Sequence, residues 1–204
     1  MGIAERKERQ RAELRDQILR AAREIVLRDG FDALTMRKIA DAIEYSPATI
    51  YLHFPSREAI GRELVRSSFA ELLAYLSPAQ DEPDLLERLR SFGRLYLRFG
   101  AERPQAYRLI FMTDPALSGV ITQYASSTEP GDRAFNLLAR VVRELVERAI
   151  FKPVDPLLAA HCCWAGLHGI VSLHLTCGAM TPRSVGVAAL GETMLEALIG
   201  GLAA

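Results

Sequence analysis

Residues 46–58 read SPATIYLHFPSRE, with Thr49, Tyr51 and His53 on alternate positions and Arg57 close behind. A hydroxyl, a phenol, an imidazole and a guanidinium all donate hydrogen bonds, and the last two acquire or carry positive charge. They suit the recognition of an anion or a polar edge. The chain shows no nucleophile–base–orienter set, no Gly-rich phosphate loop and no paired carboxylates facing a cleft, so these groups point to binding rather than catalysis. Ser46 followed by Pro47 is a helix-opening signal: the hydroxyl can cap free backbone N–H groups, and proline fits the first helical position. A helix so short is unstable alone and needs neighbours to brace it.

Those neighbours are legible in the apolar spacing. Leu14, Ile18, Ala21, Ala22 and Ile25 recur at three and four residues, predicting an amphipathic helix that stops near Gly30. Thr35 can cap a second helix over about 35–42 containing Ile39 and Ala40, and the third spans 46–52. From Arg57 a fourth helix carries Ile60, Leu64, Phe69, Leu72, Leu73 and Leu76 and ends before Ser77-Pro78. The acidic run 81–84 suits the N-terminus of a fifth, and Pro104 opens a short sixth through Phe111. Residues 113–131 read as loop, and further helices are expected at about 132–151, 155–177 and 183–201. No segment alternates as a strand does. The expectation is an all-α fold of about nine helices, with a three-helix unit over 1–56 and a larger helical body over 57–204.

The second and third helices, joined by a tight turn, form a helix-turn-helix. In that arrangement the second member lies in the DNA major groove while the first crosses the backbone. Pro47, Ala48 and Thr49 then stand at the end of the recognition helix nearest the base edges, Ala48 offering a methyl to thymine and Thr49 a hydrogen bond. Tyr51 and His53 can donate to phosphates. The start of the next helix, with Arg57, favours an anion. Arg37 is the candidate for a guanine contact.

Residues Ile18 to Ile60 resemble the DNA-binding domain of the TetR/AcrR family of transcriptional regulators. The resemblance rests on Ile18-Leu19, Ala21-Ala22, Gly30-Phe31, Leu34-Thr35, Ile39-Ala40, Ser46, Thr49, Tyr51, His53-Phe54 and Ser56-Arg57-Glu58. It implies an all-helical homodimer that grips an inverted repeat of double-stranded DNA through Thr35, Arg37, Pro47, Ala48, Thr49, Tyr51, His53 and Arg57. It also implies a C-terminal body holding a small-molecule effector whose binding releases DNA. Three positions depart from the pattern: Glu44 stands where the turn usually has glycine, Ala48 replaces a common glycine, and Pro47 replaces a residue able to read bases. If position 44 needs a left-handed backbone, Glu adds about 1 kcal/mol of strain.

Further on, Trp164, His168 and Gly169 fall as W-x-x-x-H-G, after Pro104, Tyr107 and Phe111. This is similar to the Trp-His-Gly type of C-terminal domain in the same family. Trp164 and His168 share a helix face. The aromatics Phe69, Phe92, Tyr96, Phe99, Tyr107, Phe111, Phe135 and Trp164, with His168, are first of all core and secondly the candidate lining of an effector pocket. In family members the last two helices form a dimer bundle. Gly166, Gly169, Ala188, Ala189, Gly191, Ala197 and Gly200 would allow close approach there, or equally within one chain.

Composition narrows the rest. Basic and acidic residues balance at 25 each, so net charge favours no partner, and a nucleic-acid case must rest on placement. Basic residues in 6–15 are interleaved with Glu8 and Glu13, behind Glu5, and read as a solvated helix face rather than a DNA-reaching arm. Cys162, Cys163 and Cys177 form no disulfide framework or zinc spacing and are expected to be reduced, mostly buried residues of a cytoplasmic protein. The stretch from Pro156 to Pro182 lacks Asp, Glu, Lys and Arg, long enough for a membrane span. Its three histidines and several glycines favour a helix buried among others. No metal or other cofactor is expected, since His161 and His168 lie too far apart for one ion and no carboxylate accompanies them. A helical enzyme and a DNA-independent dimeric adaptor remain the alternatives to a regulator.

Overall fold

The computed structural model describes residues 2–112, 129–177 and 186–204, and the regular structure among them is helical. The helices are α1 (Ile3–Asp29), α2 (Met36–Ala42), α3 (Pro47–Tyr51), α4 (Arg57–Leu76), α5 (Leu85–Glu102), α6 (Pro104–Phe111), α7 (Pro130–Glu147), α8 (Pro156–Thr176) and α9 (Val187–Leu202). Two 3₁₀ turns, Phe31–Ala33 and Ser77–Asp81, complete them. The loop expected over 113–131 lies mostly outside the described residues, as does the expected start of the last helix at 183. α7 begins at Pro130, inside that expected loop, because proline fits the first helical turn.

The chain falls into two compact units. The first takes in residues 2–68 and 108–112, the second 69–107, 129–177 and 186–204. In the first, α1 turns Ile18, Ala21, Ala22 and Ile25 inward at helical spacing, against Leu34, Ile39, Ala40, Ile50, Phe54, Ile60 and Leu64. The five-residue α3 buries one side chain, Ile50. That anchor contributes roughly 2 kcal/mol of apolar burial, and its Ser46 cap about 1 kcal/mol more. A segment too short to persist alone is thus held from inside and at its end.

In the second unit α5 packs against α7, α8 and α9, and α8 against α7 and α9. Two glycines set how closely the helices approach. A Cβ on Gly100 would lie 2.3 Å from Val171 Cγ1, and one on Gly191 would lie 2.0 Å from Leu97 Cδ1. Gly191 thus serves packing within the chain, one of the two roles expected of it, and the Cβ position of Gly166 likewise lies 3.3 Å from the Met194 side chain. Gly169 and Gly200 meet nothing within 4 Å, and Ala188, Ala189 and Ala197 are exposed. The cysteines are corrected: Cys163 is buried, Cys177 is intermediate and Cys162 is exposed, all three free. α8 is long and apolar enough to cross a membrane by length and composition, while Ala159, Ala160, Cys163, Leu167, Ile170 and Val171 are buried within the fold.

Two helices end alike. After α2 the chain turns left-handed at Glu44, φ 59°, and after α7 at Ala149, φ 54°. In each case the next backbone N–H reaches back to the last turn, Tyr45 to the Ala40 carbonyl and Ile150 to the Leu145 carbonyl, both at 3.0 Å. This is the Schellman closure, which glycine usually serves. The strain anticipated at Glu44 is present in the backbone.

Candidate nucleic-acid interface

Local chemistry builds the helix-turn-helix. Thr35 Oγ1 accepts the Lys38 backbone N–H at 3.1 Å, capping α2. Glu44 closes that helix, and Ser46 Oγ accepts the Thr49 N–H at 3.2 Å to cap α3. The Ser46 and Thr49 hydroxyls also meet at 3.0 Å, so Thr49 is tied to the cap while still half exposed. Ser56 Oγ accepts the Ala59 N–H at 3.2 Å at the start of α4.

Around these caps several of the expected contact residues stand at the surface. Pro47 and Ala48 are exposed, Tyr51 is 56% exposed, and Arg37 extends into solvent with Asp41 3.9 Å away. His53 is half-buried, and its imidazole is held below its ordinary range by burial first and by Arg11 and Arg15 second. Arg57 is placed differently from the rest. Its guanidinium bonds Glu58 at 2.8 Å, approaches the Asp32 carbonyl at 3.4 Å and lies 5.1 Å from the Phe31 ring centroid. It braces the 3₁₀ turn against α4, so its charge is largely engaged within the protein rather than projected outward.

Sequence spacing did not single out Tyr45, 47% exposed in the turn, or Leu52, 75% exposed at the end of α3. A large apolar side chain is ordinarily assigned to the core, and only the direction of α3 reveals that these face solvent.

The aromatic residues expected to line a pocket divide. Tyr107 and His168 approach most closely, hydroxyl to Nδ1 at 2.6 Å, with their rings stacked at 5.6 Å. The Tyr96 hydroxyl lies 3.3 Å from the same nitrogen and accepts Trp164 Nε1–H at 3.2 Å. Phe135 stands edge-on to Trp164 at 6.1 Å. Phe69, Phe92 and Phe99 are buried, Phe99 meeting Tyr75 edge-on at 5.5 Å, while Phe111 belongs to the first unit. Burial raises the phenols of Tyr96 and Tyr107 above their usual range and lowers His168, so the cluster is uncharged near neutral pH. Among the described residues, every buried side-chain nitrogen or oxygen has a hydrogen-bond partner.

Comparison with known proteins supplies the context for both regions. Residues 18–64 match the family model described as bacterial regulatory proteins, tetR family, and residues 89–198 match the tetracyclin repressor-like C-terminal domain. The transcriptional activator FasR of Mycolicibacterium smegmatis is 31% identical over 133 residues, 64% of this chain and 61% of that protein. The transcriptional regulator TcmR of Streptomyces glaucescens is 34% identical over 84 residues, 40% of this chain and 36% of that protein. The chain therefore spans less than two thirds of the length of either relative. The solved structure of the TetR-family regulator PfmR from Thermus thermophilus superposes with a TM-score of 0.65 at 25% identity, covering 88% of this chain and 97% of that one. These relatives regulate transcription and are not enzymes. With a matched helix-turn-helix and a C-terminal match over residues 89–198 of 204, this chain belongs to the TetR family of DNA-binding transcriptional regulators.

Proposed function

We propose that the protein is a cytoplasmic homodimeric repressor that grips an inverted-repeat operator and releases it when a small, mostly apolar effector binds. Residues 1–56 serve as the DNA-binding part and 57–204 as the effector-binding and dimerisation part. The observation that carries the reading is the outward presentation of α3: one buried anchor, Ile50, with Pro47, Ala48 and Tyr51 exposed beside Arg37. Thr35 and Ser46 set the two helix starts, and Thr49 and His53 stand beside them, partly exposed.

Dimerisation is supported by the exposed side of the last two helices. Leu158, Cys162, Ala165 and Leu173 of α8 and Ala189, Ala197 and Gly200 of α9 are exposed at helical spacing. Small residues there permit close helix contact, and a second protomer rather than lipid covers the leucines. The uncharged Tyr96–Tyr107–Trp164–His168 cluster supports an effector site of apolar character with a few hydrogen-bonding groups. Two recognition helices must stand about 34 Å apart, or a multiple of it, to enter successive major grooves. An effector that orders the C-terminal helices acts through α4 on that spacing, and DNA and effector then oppose each other reciprocally.

Selection of duplexes from a random pool should recover a palindromic sequence. Arg37→Ala with Tyr51→Ala should abolish binding to it while sedimentation still reports a dimer; unchanged affinity refutes the assignment of this face. Activation is the second reading, favoured by the activator designation of FasR. A reporter carrying the recovered operator separates the two by the sign of its response.

A further inference from the structure

α1 begins well before the core it serves. Residues 4–13 are all exposed, and the first side chains packed on the core of the first unit are Leu14 and Ile18. The segment is helical throughout and closed at its start by the Glu5 carboxylate, which accepts the Gly2 N–H at 2.9 Å. With its register set, three cations line up. At 3.6 residues per turn, Lys7, Arg11 and Arg15 follow one another at i, i+4 and i+8 on the half of the helix that carries Leu14 and Ile18. Glu5, Glu13 and Asp16 fall on the other half, where Arg9 pairs with Glu13 at 3.9 Å, and Glu8 lies at the edge of the basic half beside Arg15.

The basic stripe runs into the helix-turn-helix. The Arg15 guanidinium lies 4.8 Å from the ring centroid of Phe54, just after α3, and 3.3 Å from Glu63 of α4, which fixes the stripe's azimuth. Arg11 and Arg15 are close enough to His53 for their charge to act on its imidazole. Lys7 and Arg11 are exposed and make no ion pair among the described residues. Two unspent cations thus extend the polar surface beginning at Tyr51 and His53 by about 1.5 Å per residue along α1.

We propose that the exposed first part of α1 is a helical arm whose Lys7–Arg11 face lies along the phosphates flanking the groove that α3 enters. A helix face laid along the phosphates rather than in a groove adds affinity and salt dependence without sequence preference. The inference rests on the DNA-binding reading above.

The test measures affinity against salt concentration for the full chain, on the selected operator with long flanks and on the same operator trimmed to its edges. Lys7→Gln with Arg11→Gln should flatten the log–log salt slope by about one for each phosphate no longer neutralised, two for each bound protomer. Operator preference should be unchanged, and trimming should weaken the parent but not the variant. Glutamine keeps good helix propensity, and circular dichroism checks that the arm stays helical. Glu13→Gln with Asp16→Asn, on the opposite half, should leave the slope as it was. An unchanged slope in the Lys7/Arg11 variant, or a shifted operator preference, overturns the arm. So does a loss of dimer with DNA binding otherwise intact, which assigns the stripe to a second copy of the chain. Failure of the parent protein to bind any duplex would instead overturn the underlying reading.

Discussion

In the first unit, Thr49, Tyr51 and His53 stand at the surface with their polar atoms wholly or partly open to water. In the second, Tyr96, Tyr107, Trp164 and His168 bring the same kinds of group, hydroxyl, N–H and imidazole, into contact under cover. Water already satisfies the first set, so removing one of those groups costs the fold little and alters what the surface can bind. The second set satisfies itself. Removing one member strands the others, because a buried polar group without a partner is expensive. One alphabet of side chains thus serves recognition in one region and cohesion in the other, and burial decides which.

Gly100→Ala in the second unit should have the largest effect. The new methyl would overlap Val171, a β-branched side chain with little freedom to move, and the overpacking should cost about 1–3 kcal/mol. Thermal denaturation would show a lowered Tm. Tyr107→Phe follows at about 1–2 kcal/mol, for the lost hydroxyl beside His168; an undiminished Tm would mean that the cluster is not the cohesive element described. Ser46→Ala, on the other side of the comparison, should cost about 1 kcal/mol locally. There the readout is weaker DNA affinity at nearly constant Tm, since α3 frays before the core does.

The paired left-handed positions sharpen the contrast further. Glu44→Gly and Ala149→Gly should each stabilise by up to about 1 kcal/mol, relief of strain being partly offset by the greater freedom of glycine in the unfolded chain. Only Glu44→Gly removes a carboxylate beside the proposed DNA-binding surface, so only that change should also raise duplex affinity. The smallest effect is expected with pH. Burial holds His168 below 6.5, so the folded state binds fewer protons than the unfolded one as pH falls under that value. Stability is therefore full above about pH 6.5 and declines as pH drops towards the folded-state pKa. His168→Gln should flatten that decline, whereas His53→Gln, at a less buried site with the same direction of shift, should flatten it less.

The helix-turn-helix was legible because its determinants are local. The Ser46 and Thr35 caps, the proline after the first and the backbone demand on Glu44 depend on a few adjacent residues, and each appears in the structure. Arg57 could not be read the same way: besides its neighbour Glu58, it meets a carbonyl and an aromatic ring some 25 residues earlier, and nothing nearby announces that the guanidinium turns towards them. Gly191 and Gly166 are small for reasons that become visible only when Leu97 and Met194 are placed opposite them. Along residues 6–15 the charges alternate in sequence, and that linear interleaving concealed the alignment of Lys7, Arg11 and Arg15 along one side of α1.

An uninterrupted helix need not be uniformly persistent. α1 runs from Ile3 to Asp29, but residues 4–13 are all exposed, and an isolated helix of that length is marginal in water. Amide exchange along α1 should therefore descend like a staircase, rapid ahead of Leu14 and slow beyond Ile18. A bound duplex should level the upper steps, making the ordering of these turns part of the entropy of association.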